Sequence, residues 1–128
     1  MLSPDQQSVL LIYHGKLHRW LQPGGHVDPD DPDVVAAARR EVLEETGMAD
    51  IHIHQEGIFD VDIHEIPPLK NDPPHEHFDV RFLFRATSTI IEAGSDAKDA
   101  RWTLFKDVNE DESDRSVMRA MEKLLARI

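Results

Sequence analysis

The chain of 128 residues carries 14 Lys and Arg against 25 Asp and Glu, a formal charge of −11, and has no cysteine. A field this negative opposes a nucleic-acid polymer or an anionic membrane, because binding to either draws on Lys and Arg. The missing cysteine excludes a disulfide framework, a thiol nucleophile and a Cys-ligated zinc. An anionic small molecule would need positive charge from another source, and a divalent cation held by carboxylates is the obvious one. The length suits a single domain, 1–128, with enough chain to bury a core unaided. The longest apolar run, Val9 to Tyr13, is too short to span a bilayer, and no basic and apolar leader opens the chain, so a soluble, cytoplasmic protein is expected.

Ser8 to His14 is β-branched and apolar enough for a buried strand, and Gly15-Lys16 suits a turn. Trp20-Leu21 leads into Pro23-Gly24-Gly25, followed by the acidic, proline-broken stretch Asp28 to Asp33. Helix formers run from Asp33 to Thr46, with Asp31 or Asp33 as cap and Gly47 as the left-handed stop. Ile51 to His54 and Ile58 to Ile63 alternate with period two, as half-buried strands do. Prolines at 67, 68, 73 and 74 place a loop over Ile66 to Pro74. Phe78 to Phe84 and Ala100 to Phe105 read as further strands, and Asp114 to Ile128 as a closing helix packed through Val117, Met118, Met121, Leu124 and Leu125.

The helix beginning at Asp33 is the informative element. At about 100° per residue, Glu45 lies roughly +40° and Glu44 roughly −60° from Glu41, so three carboxylates share one arc. Val35, Ala38, Val42 and Thr46 form a separate apolar stripe that can face a sheet. Like charges at i,i+3 and i,i+4, set in the last turn where the helix dipole is already negative, oppose helix stability. Such conflicts are expected at functional sites, where a divalent cation would turn repulsion into chelation. The bland alternative is a solvated acidic face.

These residues carry a resemblance. Gly25 is followed by five residues and Asp31, then eight residues and Arg40-Glu41-Val42-Leu43-Glu44-Glu45-Thr46-Gly47-Met48. This is similar to the signature of the Nudix hydrolases, with Asp31 where the family has Glu and one residue more than usual before Arg40. An insertion inside the helix would rotate the glutamates by about 100°, so the extra residue belongs to the preceding loop. The resemblance implies an α/β fold, an α/β/α sandwich with a mixed sheet. Its first strand is short or missing here, since only Met1 to Gln7 precede Ser8, and a swapped or homodimeric arrangement would cover the edge left open.

The resemblance further implies an enzyme that hydrolyses a nucleoside diphosphate linked to another moiety, by attack of water at phosphorus, with Mg²⁺ or Mn²⁺. Gly25, Glu41, Glu44 and Glu45 would hold the metal, Arg40 would orient a glutamate, and Glu44 or Glu45 would help deprotonate water. A base is often supplied from far outside the signature, and Glu76 is the candidate because it ends the proline loop beside a strand. His26, in the glycine loop, is a candidate phosphate contact. His75 and His77 read as solvated loop histidines, and His52 and His54 as the polar face of a strand. Trp20, Phe82, Phe84 and Trp102 read as packing residues. The alternative function is a non-catalytic nucleotide-binding or regulatory module of the same fold.

Overall fold

A computed structural model describes residues 1–66, 68, 73–92 and 99–127. Most of the expected Ile66 to Pro74 loop, along with Ile128, lies outside the described residues. The elements are β1 (Ser8–His14), β2 (Arg19–Leu21), α1 (Val34–Thr46), β3 (Ile51–Ile66), β4 (His75–Ala86), β5 (Ala100–Leu104), a short 3-10 turn (Phe105–Asp107) and α2 (Arg115–Leu125). Among the described residues no helix is long and apolar enough to cross a membrane.

Two antiparallel units, β2-β1-β5 and β3-β4, make up the sheet. Met1 to Ser3 joins them. Leu2 bridges antiparallel to Val9 and parallel to Arg85. Its N–H donates to the Phe84 carbonyl at 2.7 Å, and its own carbonyl accepts from Ala86 at 2.9 Å. The first strand is therefore short rather than missing. Val9 pairs with Thr103 on one side and Leu2 on the other, and Ile12 with Ala100 and Leu21, so the edge of β1 that the sequence left open is occupied.

The two helices cover opposite faces of the sheet. Adjacent residues of a strand point to opposite sides, and Leu83 packs with Val117, Met121 and Leu124 of α2 while Phe84 packs with Val42 of α1. Val35 and Ala38 join the α1 cluster as their stripe requires. In α2, Leu125 departs from the expected buried stripe and is exposed. Asp33 Oδ1 accepts from Ala36 N at 2.8 Å, which makes Asp33 the cap of α1, and Gly47 closes the helix at φ 74°.

The expected strands 51–54 and 58–63 are one strand, β3, with register shifts between Ile53 and Asp60 and a left-handed Gly57 at φ 77° inside them. A bulge of this kind lets one strand turn without ending. The expected burial is also inverted along the outer hairpin. Val61, Ile63, Phe78 and Val80 are exposed, while Asp60 and Arg81 are buried. The cause is α2, which meets this face with polar groups. Arg81, Arg119 and Lys123 all donate to Asp60 at 2.7 to 2.9 Å, and Ser116 and Arg119 donate to Asp62 at 2.6 and 2.8 Å.

Candidate active site

Helix α1 and the loop before it bring the signature residues together. The turn from Asp28 to Asp31 is closed by Asp31 N donating to the Asp28 carbonyl and Asp28 N donating to Asp31 Oδ2, at 3.0 and 2.8 Å. This turns the Asp31 carboxylate inward, where Arg40 Nε and Nη2 donate to its two oxygens at 3.0 and 3.1 Å. Such a two-point bond fixes the guanidinium plane as a single bond could not. The Arg40 hydrogen bond, followed by the Asp28 N–H, holds the Asp31 carboxyl below the usual carboxylate range, and Asp31 in turn raises Arg40.

From that anchor Arg40 spans the site. Its Nη2 donates to the His26 carbonyl at 2.9 Å, and its Nη1 donates to Glu41 at 3.1 Å and to both oxygens of Glu44 at 3.3 and 3.2 Å. Arg39, the other possible register, faces elsewhere, donating to the Ile51 carbonyl at 3.0 Å and lying over the Phe84 ring. Arg40, and not Arg39, thus lies with Asp31, Glu41 and Glu44.

Glu41 and Glu45 face the glycine loop. Glu45 is buried, and its Oε1 accepts from Gly24 N at 3.1 Å. The backbone of Gly25 abuts Glu41 so closely that a Cβ there would meet Glu41 Oε1 at 2.4 Å. Glu44 is the most open of the three, its side chain 43% exposed. The set consists of hard oxygen donors, carboxylates beside a backbone that only glycine can supply at that distance, and it suits Mg²⁺ or Mn²⁺ rather than a soft metal.

The remaining candidates lie on the hairpin. Glu76 stands inside β4, not at the end of a loop; it is exposed and directly opposite Glu65 in register. His75 and His77 are likewise strand residues rather than loop residues. The His77 ring lies 6.3 Å from that of His26, so the hairpin touches the glycine loop there. His52 and His54 are exposed on β3. Trp20 packs at the rim of the α2 cluster under Arg101, and Trp102 donates to the Thr89 carbonyl at 2.9 Å while packing on the α1 cluster.

Two arrangements escaped the sequence reading. Asp31 has a sequence signal, an acid upstream of the helix within the glycine loop, but its pairing with Arg40 required the turn geometry. The grouping of Asp62, His64 and Asp79, whose ligand atoms all lie within 4.8 Å of one another, depends on strand register, which no local pattern specified.

The family model for the NUDIX domain matches residues 1–123, and the chain belongs to that family, which makes it a hydrolase acting on phosphoric anhydrides. Solved structures with the same fold include a C. elegans Ap4A hydrolase at 20% identity, covering 94% of this chain and 84% of that one with a TM-score of 0.62. A binary complex of the C. elegans Ap4A hydrolase matches at 20% identity over 94% and 85%, TM-score 0.70. A MutT NUDIX hydrolase from Burkholderia pseudomallei matches at 22% identity over 91% and 88%, TM-score 0.59. No curated protein sequence matches the chain. Nudix hydrolases generally use divalent metal ions.

Proposed function

We propose that the protein is a Mg²⁺- or Mn²⁺-dependent pyrophosphohydrolase that cleaves a nucleoside diphosphate linked to another moiety, or a similar small diphosphate, by attack of water at phosphorus. The observation that carries this reading is the placement of Glu41, Glu44 and Glu45 on one helix face, with Glu41 and Glu45 against the backbone of Gly24 and Gly25. In this proposal Gly25, Glu41, Glu44 and Glu45 hold the metal. The bound ion supplies positive charge to the phosphate oxygens and acidifies water. Arg40, fixed by Asp31, orients Glu41 and Glu44. Glu44, the most accessible of the three, is positioned to take a proton from the attacking water, with Glu76 as the candidate base outside the helix. His26 presents its ring at the loop edge, where it would meet the substrate's phosphates.

The likeness to Ap4A hydrolase structures adds support for a small nucleotide substrate with linked phosphates. A cytoplasmic setting belongs to the same proposal and rests on a chain free of cysteine. The non-catalytic alternative drew on a missing first strand, and the Met1 to Ser3 link supplies a short one.

The test is release of phosphate or nucleotide from a panel of nucleotide sugars, dinucleoside polyphosphates and nucleoside triphosphates. Turnover is expected with Mg²⁺ and its loss with EDTA, and Glu44→Gln and Glu45→Gln should each lower kcat by about 100-fold or more. Turnover without metal, or full activity in both variants, rejects the mechanism. Tight nucleotide binding with no turnover establishes the module instead.

A further inference from the structure

We propose that the distal end of the β3–β4 hairpin, on the same face that α2 meets at Asp60 and Asp62, is a second metal site, for a borderline transition ion such as Zn²⁺, separate from the carboxylates of α1. Asp62 and His64 are alternate residues of β3, and His77 and Asp79 are alternate residues of β4, so each pair projects on one face of its strand. Register sets Asp62 opposite Asp79 and His64 opposite His77. Four side chains of ligand type thereby share one face of an antiparallel pair, where opposed Cβ atoms lie about 5 Å apart.

The distances favour a bound cation over simple pairing. His64 Nδ1 stands 3.7 Å from Asp62 Oδ2 and 3.8 Å from Asp79 Oδ2, beyond hydrogen-bond range for both. Two donors on one tetrahedral ion with bonds of about 2.0–2.2 Å are themselves separated by about 3.4 Å, close to what is found here. The His64 and His77 rings are 5.9 Å apart, and His75 follows 5.1 Å from His77. Directly opposed carboxylates repel, and of Asp62 and Asp79 it is Asp62 that Arg119 and Ser116 engage. The Asp79 charge faces the His64 imidazole instead. Imidazole with carboxylate is a donor set for Zn²⁺ and its neighbours, unlike the all-oxygen set of α1. Asp62, His64 and Asp79 bring their ligand atoms within 4.8 Å of one another; Arg119 makes Asp62 the weakest of these donors, and His77 lies beside the group as a further donor. His64 and Asp79 are open enough to admit an ion, their side chains being 46% and 48% exposed. His77, next to this group, lies 6.3 Å from the ring of His26 in the glycine loop.

The test is Zn²⁺ titration by calorimetry, and Co²⁺ titration by visible absorption, of the full chain in excess Mg²⁺, which occupies the α1 carboxylates. One equivalent of Zn²⁺ should bind, His64→Ala and Asp79→Asn should each weaken it about ten-fold or more, and Glu44→Gln should leave it unchanged. His77→Gln is a third, milder variant, and unaltered far-ultraviolet circular dichroism confirms folding. Equal Zn²⁺ affinity in the wild type and the His64→Ala/Asp79→Asn pair would overturn the proposal, as would loss of binding in Glu44→Gln. Because the readout is binding, failure here is distinct from failure of the hydrolase reading.

Discussion

Single residues at the candidate site act through fixed contacts, so their substitution separates activity from stability. At Gly25 an added methyl would meet the end of the Glu41 side chain, not backbone. Gly25→Ala should therefore leave the melting temperature nearly unchanged, because Glu41 can swing aside, while kcat falls by about 100-fold as a donor moves by an ångström or so. Asp31 reaches Glu41 and Glu44 through Arg40. Asp31→Asn loses the charge that holds the guanidinium, and a drop of about 10–100-fold in metal affinity is expected, measured by Mg²⁺ dependence of the rate. The signature spacing made Arg40 and the three glutamates legible in the sequence. It did not reveal that Asp31 is their anchor, because a short acid in an acidic loop carries no mark of which way its turn will face it.

At the scale of elements, α2 is held to the β3–β4 hairpin by charge as well as by Val117, Met121 and Leu124. Burial alone would raise the Asp60 carboxyl, but hydrogen bonds from Arg119, Lys123 and Arg81 override it and hold the group well below the carboxylate range. Ser116, and then Arg119, lower Asp62 in the same direction. A carboxyl whose folded value is depressed binds fewer protons than its unfolded counterpart, so its stabilisation is present above about pH 4 and is lost as pH falls below that toward the folded value. The urea midpoint should drop steeply between about pH 4 and pH 3, and less steeply in Asp60→Asn; equal slopes would show that the network contributes nothing. None of this was visible in the alternating pattern of Ile58 to Ile63. Period two announces a strand and its two faces, but the face that is covered depends on what packs there. Here α2 covers the acidic one.

Across the whole molecule, the link at Met1 to Ser3 decides whether the two sheet units form one sheet. Leu2 is fully buried and bridges both. Leu2→Ala should cost about 2–5 kcal/mol in unfolding experiments, and a loss below about 1 kcal/mol would mean that the halves hold together without it. The sequence by itself determined the family, the order of both helices and of most strands, though not the short β2 (Arg19–Leu21), the caps of α1 and its carboxylate face, because these depend on local spacing: a helix of known period, a glycine stop, a signature of fixed length. The tertiary structure alone decided what sits far apart in the chain. It closed the edge of β1 with Leu2, merged two expected strands through the bulge at Gly57, turned Asp31 onto Arg40, and set His64 and His77 across from one another. Each of these is a matter of register or docking between segments, and the free energy that selects it comes from contacts that no local pattern encodes.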